Sequence, residues 1–156
     1  MLTKILSFTT IIAFSFIVSQ SLMYILALKN VQSNLDFNSY TEFRKLIDTS
    51  MRANFKYAIY IALLCNLALV ISTAKNPGSL IFITSAIALV GLIIDILITV
   101  KGNLPINDII NSWSPQNKPA NWTEYRSKWL ELFQYRQIAN ITAYLSLLVG
   151  GIFGGK

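Results

Sequence analysis

Residues 79–100 read SLIFITSAIALVGLIIDILITV, an unbroken apolar run whose single charge is Asp95. At about 1.5 Å of rise per residue, a helix of this length covers the roughly 30 Å of hydrocarbon in a bilayer. A membrane strand would need alternation over about ten residues, whereas this run is continuous and twice as long. Lipid offers no partner to an unpaired backbone group, so a helix that satisfies its own hydrogen bonds is the remaining solution.

Three similar runs lie outward from this one, at about 5–28, 53–73 and 137–153. Of the 156 residues 54% are hydrophobic and 13% charged, more apolar surface than one water-soluble core of this size can hide. The expected fold is therefore all-α, an integral membrane four-helix bundle forming one domain over 1–156. Lys4 before an apolar stretch resembles a signal peptide, but the run exceeds a signal core and Lys29 and Asn30 follow Leu28 directly, so a retained helix is expected. Between the second and third runs, Asn76-Pro77-Gly78 leaves room only for a tight antiparallel turn.

Four spans put segments 29–56 and 101–136 on one face. That face carries Lys29, Arg44, Lys45, Arg52, Lys56, Lys101, Lys118, Arg126, Lys128 and Arg136; the other carries Lys4, Lys75 and Lys156. The positive-inside rule then predicts a multi-pass protein of a bacterial cytoplasmic membrane, with its long loops in the cytoplasm and both termini outside. The net charge of +6 belongs to these flanks, where it meets anionic lipid headgroups rather than nucleic acid.

The chain has no histidine, which excludes histidine-ligated haem or zinc and every Ser-His or Cys-His pair. Cys65 is the only cysteine, so neither an internal disulfide nor a Cys-x-x-Cys redox centre can form. No metal site and no cofactor are expected. Asn121-Trp122-Thr123 and Asn140-Ile141-Thr142 match glycosylation sequons, but the first is expected in the cytoplasm and the second starts within a span.

The informative residues are polar ones in an apolar solvent. Asp95 lies six residues before Lys101, about 9 Å inside the end of its span, and an ionised carboxylate there requires a partner. Arg136 opens the last span at the same face, with Asn140 and Tyr144 following at helical spacing on one side. Gln20, Tyr24, Tyr57 and Tyr60 fall at a similar depth, outlining a polar-aromatic pocket open toward the long loops. Two readings of this group stand: a clamp between helices with tyrosines in the interfacial belt, or a small-molecule site. Asn66, near mid-span, suits an interhelical hydrogen bond.

In the loops, Leu35, Phe43, Leu46, Ile47 and Met51 among charges predict a short amphipathic helix on the membrane surface after the first span. Trp122, Tyr125, Trp129 and Phe133 form an aromatic stripe on an interfacial helix leading from about Trp122 into the fourth span. Gly150-Gly151 and Gly154-Gly155 near its end would let another helix approach, either a membrane-protein partner or a second copy of the chain.

Two short motifs carry a family resemblance. They are Asn103-Leu104-Pro105-Ile106-Asn107 directly after the third span, and Trp129 followed seven residues later by Arg136. In these, in the order of its spans and in the basic segment after the first, the chain resembles the anthrone oxygenase-like family of four-span membrane proteins. It departs from the family at Phe133, where members often have His or Asn. The resemblance implies oxidation of an anthrone, or another flat apolar aromatic, by O₂ without a cofactor. It implies Asp95 as base, Arg136 as oxyanion partner, Asn107 and Asn140 as donors, and Trp129 as cavity wall. Asn103, Tyr57 and Tyr144 complete the expected substrate-binding set. The competing class is a non-catalytic accessory subunit or a scaffold for lipid or quinone.

Overall fold

The computed structural model describes residues 1–154, which form an all-α bundle of four long helices. They are α1 (Leu2–Asn34), α2 (Phe37–Thr73), α3 (Leu80–Asn111) and α4 (Trp122–Phe153). Gly155 and Lys156, the second glycine of the terminal pair and one of the counted lysines, lie outside the described residues. Each helix packs on the next and α4 closes on α1, an up-down-up-down order set by the short connections.

The helices have 33, 37, 32 and 32 residues, so each is about 50 Å long against the roughly 30 Å of a hydrocarbon core. The surplus lies at the end carrying the 35–36 and 112–121 connections. What the sequence suggested were loops are largely helical extensions of the spans. Segment 35–51, expected to lie on the membrane surface, is instead mostly the first turns of α2. No Gly or Pro interrupts 37–73, and the Asp36 carboxylate caps the helix by accepting from the amides of Asn38 (2.9 Å) and Ser39 (3.1 Å). Hydrogen bonds from the Ser39 amide and hydroxyl hold that carboxyl below its usual range. The face that α2 buries there is also unexpected: Tyr40, Thr41, Arg44 and Asp48 point inward while Leu46 is exposed.

α3 likewise continues past Val100, through the Asn-Leu-Pro-Ile-Asn element to Asn111. Pro105 lacks an amide hydrogen and its ring crowds the carbonyl four residues earlier, that of Lys101. The chain absorbs this with a π-helical turn at Thr99–Asn103. A second π-helical turn, Tyr24–Leu28, lies in α1.

Three helices, α1 to α3, are long and apolar enough to cross a membrane. α4 is more polar because it contains Arg136, Gln137 and Asn140, but all three are buried in the bundle. Its outward face shows Ile138, Leu145, Val149 and Ile152, continuous with the belt made by Phe8, Leu64, Ile71 and Ile87 on the other helices.

Inside, two cores are stacked along the bundle. One is mainly aliphatic, built on Ala13, Ile17, Ala62, Leu69, Ala88, Leu92, Ala143 and Leu147 around the buried ring of Phe14. Here α3 and α4 approach closely, since Gly91 faces the backbone of Ala139 and a Cβ on Gly150 would overlap the Thr84 hydroxyl. Gly151 faces Ile11 and Ser7 of α1. The first glycine pair is thus used in packing within the chain. Asn66 bridges α2 to α3 once its side-chain amide is turned to suit its neighbours, the nitrogen then donating to the Ser85 carbonyl (3.2 Å) and the oxygen accepting from the Leu89 amide (2.9 Å). The second core, toward the connections, is aromatic: Tyr24, Phe37, Tyr40, Trp113, Trp129 and Phe133 with Ile106 and Ile110.

Candidate functional site

Where the two cores meet, charged side chains enter the interior. Tyr40, Arg44, Asp48 and Arg52 recur every fourth residue of α2 and so share one face. Arg44 is 2% and Asp48 4% exposed, so each requires full compensation from its neighbours. Asn107 of α3 supplies much of it: Oδ1 accepts from Arg44 Nη2 at 2.7 Å and from the Trp129 indole at 2.8 Å, while Nδ2 donates to Asp48 Oδ1 at 2.7 Å. The other Asp48 oxygen accepts from Asn111 Nδ2 and Arg52 Nε, both at 2.8 Å. Arg52 also reaches Asp108 at 2.6 Å.

The Arg44 guanidinium lies flat on chemistry suited to it. Its Cζ is 3.8 Å from the centre of the Trp129 ring, and Nη1 donates to the Tyr24 hydroxyl at 3.2 Å. Phe133 stacks on Trp129 with 5.1 Å between ring centres, and Tyr24 closes on Phe133 at 4.2 Å. Phe133 therefore fills an aromatic wall, and Arg136 Cζ sits 5.0 Å above its ring. Tyr40, deeper in the aromatic core, has its hydroxyl pushed up to about 12 by burial, so it stays protonated at physiological pH.

A second ion pair lies toward the aliphatic core. Arg136 Nε donates to Asp95 Oδ1 at 2.6 Å, with the carboxylate 1% exposed. Arg136 Nη1 is a long 3.4 Å from Asn103 Oδ1, and Asn103 Nδ2 donates to the Trp129 carbonyl at 3.1 Å. The two π-helical turns explain part of the convergence, because Tyr24 opens one and Asn103 closes the other. Such wide turns recur at functional sites because they re-aim side chains without ending the helix.

Both ion-pair systems open on one cavity of about 340 Å³ between α2 and α3. Asp95, Asn103, Asn107, Trp129 and Arg136 line it. Ile47, Phe55, Ile59, Ile96 and Leu104 make the apolar walls, and exposed Lys56, Tyr60 and Val100 stand at its mouth. Its charged lining comprises Arg44, Arg52, Lys56 and Arg136 against Asp48 and Asp95, an excess of cations.

The remaining expected residues lie elsewhere. Asn140 is buried one turn from Arg136, its Oδ1 without a hydrogen-bond partner, and is not part of the cavity wall. Tyr144 packs against the aliphatic core. Tyr57 is on the outer surface of α2, 57% exposed, with the Lys56 ammonium 5.2 Å from its ring. Arg44, Asp48 and Arg52 were not singled out from the sequence as site residues, although their four-residue spacing was visible. No group of His, Cys, Asp or Glu among the described residues is arranged to hold a metal ion. Comparison with family models, with curated proteins and with solved structures finds no match.

Proposed function

We propose that this chain crosses the membrane four times and binds, between α2 and α3, a flat and largely apolar molecule bearing one acidic or carbonyl group. The observation that carries this reading is the cavity itself: the buried Arg136–Asp95 pair, the buried Arg44 and Asp48 side chains and the Trp129 indole face one apolar-walled space with more cations than carboxylates in its lining. An apolar pocket with a few convergent polar groups is the usual form of a small-molecule site. The fourth crossing is supported by the inward burial of Arg136, Gln137 and Asn140, the most polar residues of the span expected at 137–153 and its entry.

Orientation follows from the charges left free at the surface. Arg44 and Arg136 are buried, Arg52 is ion-paired, and Lys45 and Arg126 donate to backbone carbonyls. Among the described residues, Lys29, Lys56, Lys101, Lys118 and Lys128 remain exposed on the connection side, against Lys4 and Lys75 opposite. That bias favours the cytoplasm for the connections. A reporter inserted near Gln116 should register inside the cell; registration outside would reverse the orientation.

The family resemblance suggests what the site does with its ligand. An anthrone methylene would lose a proton and pass electrons to O₂; one oxygen atom becomes the new carbonyl and the other leaves as water. Asp95 suits the base and Arg136 the oxyanion partner, with Asn107 at hand as an amide. Arg136 holds Oδ1 of Asp95, so Oδ2 is the oxygen that would take the proton.

The same 2.6 Å contact favours a second reading, in which the pair only clamps α3 to α4. A double variant, Asp95→Asn with Arg136→Gln, distinguishes the two because it removes both charges and leaves none buried alone. Titration of naphthoate into protein in lipid nanodiscs, followed by tryptophan fluorescence, should give an affinity that falls about tenfold or more in the variant. Purified protein should also speed O₂ uptake by anthrone. Saturable binding that survives unchanged in the variant, or no binding by either protein, would leave the clamp as the better account.

A further inference from the structure

A second space, of about 500 Å³, lies between α1 and α2. Phe16, Ser19 and Met23 of α1 face Ser50, Asn54 and Ala58 of α2 across it. Phe16 and Met23 are 62% and 51% exposed, so the groove belongs to the same apolar outer surface that faces lipid. It shares Gln20, Ile47, Met51 and Phe55 with the charged cavity, so the two spaces are separated only by these side chains. One contact within the partition is weak: Gln20 Nε2 approaches Met51 Sδ at 3.7 Å. Both side chains are unbranched and flexible, and methionine adapts readily to a new neighbour.

We infer that the two spaces are chambers of one site for an amphiphilic anion, whose acidic head lies among Arg44, Arg52 and Arg136 and whose unbranched alkyl tail passes Met51 into the α1–α2 groove. This rests on the binding role proposed above and specifies its ligand class. Charge complementarity fixes the head, since cations outnumber carboxylates only in the first chamber. The groove has the opposite character: Ser19, Gln20, Tyr24, Ser50 and Asn54 bring its polar groups, and neither a cation nor a carboxylate lines it. An alkyl chain placed there exchanges contact with lipid for contact with Phe16, Met23 and Phe55 while its head keeps its ion pairs. A ligand with no tail would leave the groove to ordinary lipid chains.

The experiment compares two acids with one head, para-methoxybenzoate and para-hexadecyloxybenzoate, titrated into the full chain in lipid nanodiscs. Ala58→Trp and Ser19→Trp fill the groove from opposite helices, and neither residue touches the charged chamber. Each affinity is expressed relative to wild type in the same bilayer, so partitioning of the tail into lipid cancels. Both variants should weaken the long-chain acid about tenfold or more and leave the methoxy acid unchanged. Long-chain binding that is insensitive to both variants would overturn the two-chamber arrangement while leaving the cavity reading intact. Equal weakening of both acids would also overturn it, because the groove would then not be a separate tail site. If neither acid binds the wild-type protein, the underlying cavity reading fails, and this inference fails with it.

Discussion

The half of the bundle around Ala88, Leu92 and Ala143 and the half around Trp129 are built from the same four helices but in opposite senses. In the first, small and aliphatic residues are inside, and Leu64, Ile71 and Ile152 face outward. In the second, Arg44, Asp48 and Asn107 are inside among aromatic rings, and lysines face outward. Lipid is as apolar as leucine, so burying leucine between helices gains little there. Close approach at Gly91 and Gly150 and the Asn66 bridge have to hold that half together. Toward the connections, aromatic rings enclose a polar network joined through Asn107, in which Arg44 Nε is left without a partner. The candidate site sits at the boundary, where an ion pair can be both shielded and reached.

The largest effect should come from breaking the network in the aromatic half. Asp48→Ala removes the buried carboxylate that Asn107 links to Arg44 and that pairs with Arg52, and should cost about 3–5 kcal/mol, read from unfolding in mixed micelles of rising denaturing-detergent fraction. A loss no larger than that of an ordinary surface change would mean that the ladder is solvated and the contrast between halves is false.

A pair of equally exposed leucines locates the boundary between the two solvents. Leu46 is 64% and Leu64 66% exposed, on the same helix. Leu64→Lys should cost roughly 2.5–3.5 kcal/mol in a bilayer, and Leu46→Lys less than about 0.5 kcal/mol. Equal effects would place both halves in one environment.

Two smaller effects sharpen the comparison. Gly150→Ala would push a methyl group into Thr84 and should cost about 1–3 kcal/mol by overpacking, through the aliphatic half alone. Trp129→Phe keeps a ring beneath Arg44 but removes the indole donor to Asn107, for about 0.5–1.5 kcal/mol. A larger loss from Trp129→Phe than from Asp48→Ala would make ring packing, rather than charge compensation, the main organiser of that half.

The residues read most readily from the sequence were those in conflict with their surroundings. Asp95 stands out in an apolar run, and the cost of an unpaired carboxylate pointed to Arg136 at the same membrane face. Arg44 and Asp48 carry equal weight in the structure but lie in a polar segment, where a charge normally signals a solvated surface. Their spacing with Tyr40 and Arg52 was visible, yet spacing defines a face and not what that face packs against. Tyr24 and Tyr57 show the same gap, since both were expected near the pocket and only Tyr24 turns inward.

Hydrophobicity and length determined from the sequence alone that the chain is helical, because lipid leaves the backbone no other way to satisfy itself across such runs. The sequence also determined that α2 and α3 are antiparallel neighbours, because Asn76-Pro77-Gly78 is too short for another path. Only the tertiary structure decided that the polar segments continue the helices, and that Tyr24 and Asn103, each in a π-helical turn, meet Arg44 and Arg136. The physical reason is that a cavity between α2 and α3 depends on side-chain contacts such as Arg44–Asn107, 63 positions apart in sequence. A local pattern of residues does not encode which distant face completes its hydrogen bonds.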